Sequence, residues 1–436
     1  MDPITTFDEF NQALSKQLES FSRDAWRALV EGEQAPRPDR WMREHGGALL
    51  RRALGLILQA RSERLGDEGA CKCGGRMAFR QRRKVRVHTV LPGRDVDTVA
   101  AYTQCSECKT GSFPLLREVG TDAEGFTPEL RELSLLAAVI DPYESAATQL
   151  LGKFALVDVC REKLRSLVAE HGDKAEKFLA RTEPRDDEKI VSSQVYAEID
   201  GGMVNVDACW QECKLATIFR DDERVDVSKD RHELLEKQVV GVRGTPEELA
   251  CLLRKRLDSL GTVLKPVVCI GDGAPWVWNL FATVFHERIE ILDWFHVDEH
   301  VAATARILYG EGSDEAAKWR EVQLDRLAHD EVDAVLEALR FERKGTRAKA
   351  KVEAIDDLNR YLTNHRHRVR YATFRAQGLL IGSGAIESAM NHVIQQRMKR
   401  AGMRWKSEGA DQMLALRCVY RSTGHWEDFL TWRRAA

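Results

Sequence analysis

At 436 residues the chain is long enough for about two to four domains with at least one sizeable core. Hydrophobic residues at 43%, charged residues at 31% and only 11 prolines describe an ordered protein and exclude a low-complexity or disordered one. A net charge of −3 excludes a uniformly basic coat, yet Arg76 to Arg94 holds seven Arg or Lys and no acid, Phe341 to Arg375 ten against four, and Gln395 to Ala436 nine against four, so binding of a polyanion on patches stays open.

Ten cysteines over this length are too sparse for a disulfide framework, and Met1-Asp2-Pro3 does not open a signal peptide, so a reducing cytoplasm is the expected compartment. Apolar runs such as Leu133 to Ile140 and Val263 to Ile270 fall far short of a bilayer span, and no membrane role is expected.

From Phe7 to Leu65 apolar residues recur at helical spacing, broken at Pro36 and Pro38, which makes residues 1–66 a helical lead-in for packing or dimerisation. Residues 67–120 change character: four cysteines, short alternating strands such as Lys84 to His88, and Gly- and Pro-containing loops read as a small β module. Thr127-Pro128-Glu129 opens a helix that Asp141-Pro142 stops. Helices over Tyr143 to Leu151 and Leu156 to His171, with Gly152 between them, make 121–185 either a helix-turn-helix or a plain helical spacer. Arg181 to Lys189 reads as a charged linker.

Strands dominate next. Val195 to Ile199 ends in Asp200-Gly201-Gly202, whose glycines suit a hairpin turn returning through Met203 to Val206 and Leu215 to Phe219. Thr245-Pro246-Glu247-Glu248 starts a helix to about Leu260, Pro266 to Ile270 is a strand ending in Gly271-Asp272-Gly273, a helix begins near Pro275, and Ile289 to Leu292 is a strand ending at Asp293. The order βββ-α-β-α-β demands a mixed sheet, and a ribonuclease H-like α/β domain fits it over 190–300. An all-helical insertion follows over 301–377, and 378–436 returns to the domain with a helix through Glu387 and a basic tail.

Asp200 and Asp272 each follow an apolar strand and precede Gly, where a carboxylate beside open backbone reaches a metal ion; the alternative for either is a turn former. Glu387, in Ile381-Gly382-Ser383-Gly384-Ala385-Ile386-Glu387, supplies a third acid in a first helical turn that Ser383 is placed to cap. Three such carboxylates suit two Mg²⁺ or Mn²⁺ ions activating an oxygen nucleophile for phosphoryl transfer. The segment lacks the third glycine of a dinucleotide fingerprint.

Cys71-Lys72-Cys73 and Cys105-Ser106-Glu107-Cys108 form two pairs that four-coordinate Zn²⁺ would join into a zinc-ribbon-like module, although the first pair is one residue short of the usual knuckle. Between them Arg80, Arg82, Arg83, Lys84, Arg86 and Arg94 form a basic face, for DNA phosphates or merely solvated. Arg397, Lys399, Arg400 and Arg404 follow Glu387; on a helix continuing to Arg404, the three arginines share one stripe.

The motifs Tyr196 to Gly202, Gly271 to Trp276, Asp293-Trp294-Phe295-His296 and Gly382 to Ser388, the last extended through Gln396 to Trp405, resemble those of DDE transposases of bacterial insertion sequences, with the ISKra-type group nearest. Asp293 and His296 are similar to the Asp-x-x-His of Mutator-like elements, and the resemblance covers about Cys71 to Tyr420. It implies Asp200, Asp272 and Glu387 as Mg²⁺-binding catalytic acids, cleavage at element ends and strand transfer into target DNA by a homo-oligomer. His296 is implied at the site, or as a structural His, and Trp276 as a base-stacking or core residue. A nuclease without strand transfer and a DNA-binding regulator with idle acids are the rival readings.

Overall fold

The computed structural model describes residues 3–32, 37–65, 70–182, 188–228 and 231–435. The break at Pro36, the 66/67 boundary and most of the Arg181 to Lys189 linker lie outside them. The chain divides into two compact units, Met1–Val168 and Ala169–Ala436. Among the described residues no helix is long and apolar enough to cross a membrane.

In the first unit, α1 (Phe7–Leu29) starts at a capping box between Thr6 and Glu9, and α2 (Pro38–Arg64) starts on a first-turn proline. Strands β1 (Met77–His88) and β2 (Asp95–Cys105) form an antiparallel hairpin, to which β3 (Gly111–Ser112) adds a short edge. The helical lead-in is not separate from this β module. Leu58 of α2 enters one core with Val87, Val96, Ala100 and Leu115, where α3 (Pro114–Val119) closes it. Thr98 Oγ1 donates to the Gly55 carbonyl at 2.7 Å and Ser62 Oγ accepts from the Ala101 N–H at 2.9 Å. A Cβ on Gly55 would lie 2.6 Å from the Asp97 carbonyl oxygen, so this close approach of helix to strand requires glycine.

Helix α4 (Pro128–Ile140) has the expected Thr127 cap and ends at Asp141. The expected turn at Gly152 is absent: a single turn at Tyr143–Ser145 runs into a π-helical stretch, Ala146–Ala155, that contains Gly152. The break comes at Leu156, whose φ of 57° puts it in the left-handed region, and α5 (Arg161–Ala180) follows. The unit boundary falls inside α5, so 121–185 is not one segment. Its last turns belong to the second unit, where Phe178 packs edge-on against Phe429 and Trp432.

The second unit is a mixed α/β structure. Its five-stranded sheet is built from β4 (Val195–Val206), β5 (Cys209–Arg220), β6 (Gln238–Val242), β7 (Val267–Gly271) and β8 (Arg288–Leu292), in the spatial order β8-β7-β4-β5-β6. The first three are antiparallel neighbours, whereas β7 and β8 run parallel to β4. Helices α6 (Pro246–Leu260) and α7 (Pro275–Val284) make the crossovers, so the expected order βββ-α-β-α-β holds.

The identity of the hairpin strands does not hold. Gly201-Gly202 is no turn: β4 runs through both glycines to Val206, and the turn is Asp207-Ala208, with φ of 50° and 64°, the backbone that a two-residue hairpin loop demands. Asp200 therefore sits inside a strand. The third sheet strand is Gln238–Val242, reached through a ribbon of Arg224–Ser228 and Arg231–Leu234.

After β8 come α8 (Trp294–Tyr309), α9 (Asp314–Ala328), α10 (Val332–Gly345), α11 (Lys349–Asn364) and α12 (Tyr371–Ala376), the expected all-helical stretch. The chain returns as α13 (Gly384–Met390), continues as a π-helical turn Asn391–Gln395, and ends in α14 (Ser407–Arg421) and α15 (His425–Ala435).

Gly55→Ala should destabilise the first unit by about 1–2 kcal/mol in urea denaturation, although Gly→Ala inside a helix ordinarily stabilises, because the new methyl meets rigid backbone. Gly46→Ala in the same helix, whose Cβ would meet only Met42 Cε at 3.9 Å, should stabilise by about 0.5–1 kcal/mol.

Candidate active site

Glu198, Asp200, Gly202 and Val204 share one face of β4, by strand alternation. That face is covered by α13, which comes so close that a Cβ on Gly202 would collide with Met390 Cε and touch Ile394. Gly202 provides this clearance. Asp200 is half-buried, and its Oδ1 accepts from the Gly201 N–H at 2.7 Å.

Asp272 follows the end of β7, whose Gly271 pairs with Ile199 on the neighbouring strand, so both aspartates lie near the same level of the sheet. Its Oδ1 accepts from the Ala274 N–H at 2.9 Å across Gly273, which has φ of 103°. The helical insertion reaches back to this loop: Tyr361 of α11 donates its hydroxyl to the Asp272 carbonyl at 2.9 Å. Glu387 is exposed on α13.

These acids share one electrostatic neighbourhood. Burial, followed by the charges of Asp272 and Asp293, raises Asp200 above its ordinary range despite the Gly201 N–H. Burial raises Glu387 too, and the charges of Asp293 and Asp200 add to it while His296 opposes. Glu198, wholly buried, is pushed up to about 8 by burial, with Asp293 and Glu387 contributing.

Asp293 caps α8 and is also wholly buried. Burial would raise it, but bonds from His296 and from the Ser383 and His296 N–H groups hold it below the ordinary carboxylate range. His296 Nδ1 lies 2.6 Å from Asp293 Oδ2, and this bond, against the effect of burial and aided by the charges of Asp293, Asp200 and Asp272, raises the imidazole to about 9. His296 is therefore a cation placed among these carboxylates.

In the first unit, Cys71, Cys73, Cys105 and Cys108 have their sulfurs within 4.8 Å of one another. Cys71 Sγ lies 3.5 Å from Cys108 Sγ, and Cys73 Sγ 3.5 Å from Cys105 Sγ. The short first pair closes because the Gly74 N–H donates to the Cys71 carbonyl with φ of 89°, and because a Cβ on Gly75 would sit 2.7 Å from Cys105 Sγ. Bonds from Thr110 lower Cys108 to about 6, whereas Cys71, its Cys73 N–H bond outweighed by neighbouring thiols, is raised to about 11. Among the described residues no other group of three or more His, Cys, Asp or Glu ligands is gathered as tightly, so Asp200, Asp272 and Glu387 form a more open set.

The basic residues fare unevenly. Arg82 pairs with Glu63 at 2.6 Å, Arg86 with Asp97 at 2.9 Å and Arg94 with Asp95 at 2.6 Å, and Arg83 lies over the Tyr102 ring at 3.9 Å. Arg80 and Lys84 are exposed on the same strand. The stripe expected after Glu387 does not form, because the helix ends near Gln395 and the chain turns at Gly402. Arg397 is buried, 5.2 Å from the Trp405 ring centre, which removes it from any DNA-facing set. Lys399, Arg400 and Arg404 remain exposed, Lys399 over the Trp210 ring at 5.6 Å. Trp276 is half-buried in a cavity of about 400 Å³ with Ala250 and Leu280 from α6 and α7, with the Lys214 amine 5.5 Å from its ring centre.

Ser383 does not cap α13 with its side chain. The cap comes from elsewhere: Glu198 Oε2 accepts from the Ile386 N–H at 2.7 Å, and Asp293 Oδ1 from the Ser383 N–H at 2.8 Å. Sequence reasoning missed Glu198 and Tyr361. For Glu198 a signal existed, a lone acid within the apolar run Val195 to Ile199; Tyr361 stands in an ordinary amphipathic helix and gives none.

The family model described as an uncharacterised protein family, UPF0236, matches residues 73–434. The chain belongs to UPF0236. The UPF0236 match includes Asp200, Asp272, Asp293, His296, Glu387 and three of the four clustered cysteines, and starts two residues after Cys71. No curated protein matches the chain.

Because the folded His296 titrates at about 9 and an unperturbed His at 6.5, its pairing with Asp293 contributes stability fully below pH 6.5, lost as pH rises through 9. In metal-free protein, the stability difference between wild type and His296→Asn should therefore be largest near pH 6 and vanish above about pH 9. Thermal denaturation across pH measures it, and a pH-independent difference would count against the ion pair.

Proposed function

We propose that the chain is a DDE-type DNA transposase with a ribonuclease H-like catalytic domain. The observation that carries the reading is that, at one end of a five-stranded mixed sheet, the charge of Asp272 at the end of β7 bears on Asp200 of β4, and the charge of Asp200 bears on Glu387 of α13. Three antiparallel strands followed by two parallel ones, with the first strand central, is the arrangement this fold requires, and ligands of open α/β sheets sit where such parallel strands end.

The donor chemistry fits hard divalent cations. Half-buried Asp200 and exposed Glu387 are both raised by neighbouring carboxylate charge, with His296, itself bonded to Asp293, as a cation opposing it, so added positive charge is favoured. Bound Mg²⁺ or Mn²⁺ would activate a water or a 3′-hydroxyl and stabilise the leaving oxygen. The chain's own residues hold the acids in place, and His296, with Nδ1 engaged by Asp293, keeps Nε2 for a phosphate oxygen.

Zinc at the four cysteines is part of the proposal. Tetrahedral Zn–S bonds of about 2.3 Å put sulfurs about 3.8 Å apart, close to the 3.5 Å pairs here, and the lowered Cys108 supplies a first thiolate. Arg80 and Lys84 in the first unit, and Lys399, Arg400 and Arg404 in the second, supply phosphate contacts; joining two element ends calls for a homo-oligomer on cytoplasmic DNA.

Asp200→Asn, Asp272→Asn and Glu387→Gln should each abolish Mg²⁺-dependent cleavage of the DNA flanking the reading frame while gel-shift binding persists. Cleavage without joined products would make the protein a nuclease instead, and binding without cleavage by the wild type a regulator. Freshly purified protein should carry about one zinc per chain by metal analysis, and Cys105→Ser should lose it and unfold the β1–β2 hairpin while the second unit, with its own core, stays folded.

A further inference from the structure

The helix that carries Glu387 is too short to orient itself. Seven residues of α-helix and one π-helical turn are below the length at which a helix holds in isolation, and its first N–H groups need acceptors. Ser383 stands at the cap position but its buried hydroxyl has no partner among the described residues. Two buried carboxylates from the sheet take over. Glu198 accepts from Ile386, the residue before Glu387, and Asp293 accepts from Ser383, four residues before it.

Neither carboxylate is there to save energy, since burying an acid costs more than burying an apolar side chain unless its hydrogen bonds are complete. What the arrangement secures is position. Glu198 is two residues from Asp200 on the same strand face, so β4 carries the first acid of the site and the anchor for the third. Asp293 uses Oδ1 for Ser383 and Oδ2 for the His296 N–H and Nδ1, tying the Glu387 helix to the imidazole.

We infer that Glu198 and Asp293 are positioning residues that hold the Glu387 helix through backbone N–H groups, Glu198 onto the strand bearing Asp200 and Asp293 onto the end of β8 beside His296, and are not themselves ligands of the reacting metal. The inference rests on the reading of Asp200, Asp272 and Glu387 as the metal-binding acids. It assigns Asp293 of the Asp-x-x-His pair a structural link between two parts of the site, and it adds Glu198, which lies in none of the expected roles.

The test uses the full chain. Amide hydrogen exchange of peptides spanning 383–395, without metal or DNA, reads the cap directly, and the Mg²⁺ dependence of DNA cleavage reads its consequence. Glu198→Ala should speed exchange over 384–390 by about tenfold or more while peptides of 195–206 keep their protection. It should also lower cleavage by about 10–100-fold, partly restored by raised Mg²⁺, as loss of an outer-shell partner does.

Glu198→Gln keeps an acceptor oxygen at nearly the same volume, so exchange should stay within about twofold of wild type and most of the lost cleavage should return. Wild-type exchange in Glu198→Ala overturns the inference. So does a Glu198→Gln variant with intact exchange and cleavage as poor as Glu198→Ala, because the carboxylate charge would then act directly. If Glu198→Ala opens the whole sheet, Glu198→Gln decides by those same two readings. A wild type that cleaves no DNA would sink the transposase reading and leave the exchange result to decide the cap.

Discussion

The second unit is organised around the cost of bringing carboxylates together in a half-buried place. Asp200 and Glu387 are raised by burial and by their neighbours' charges, and Glu198 by both more strongly, while Asp293 alone is held low because every oxygen is bonded. Such an assembly stands only if the backbone around it is held rigidly and if cations compensate it. The rigidity comes from hydrogen bonds to N–H groups and carbonyls, and one compensating cation is the imidazolium of His296.

The same constraint accounts for the helical insertion. A loop carrying Asp272 and a glycine with φ of 103° is soft on its own, and Tyr361 fixes its carbonyl from a helix almost ninety residues later in the chain. Tyr371 does the same for the end of β8, donating to the Leu292 carbonyl at 3.0 Å. Helices α11 and α12 therefore brace the ends of β7 and β8.

The first unit solves a different problem. Its hairpin is long and basic and has little core of its own, and two things hold it: α2, packed against β2 through Gly55, and the cysteine cluster where β1 begins and β2 ends. Much of its positive charge is already spent on Glu63, Asp95 and Asp97, so the basic run of the sequence overstates the free cationic surface.

How much was legible in the sequence follows from the range of each interaction. Local patterns set the capped helix starts at Thr127 and Thr245, the strand before Asp272 and the βββ-α-β-α-β order, because caps and strand alternation depend on near neighbours. Cysteine spacing alone brought four thiols to one place. Contacts distant in sequence decided the rest. Gly201-Gly202 has the chemistry of a turn, but Gly202 is needed as clearance for Met390, nearly 190 residues later, so β4 continues and the turn falls at Asp207-Ala208. Arg397 has the spacing of an exposed stripe, but Trp405 returns to the hairpin, its N–H bonding the Asn205 carbonyl at 3.0 Å and its indole the Met398 carbonyl at 2.9 Å, and the arginine is buried beside it. The sequence by itself determined the order of strands and helices in the second unit, because that order follows from near-neighbour patterns. Only the tertiary structure decided that Glu198 and Asp293 bond the backbone of the helix bearing Glu387, because a hydrogen bond to a distant backbone N–H leaves no periodicity to read.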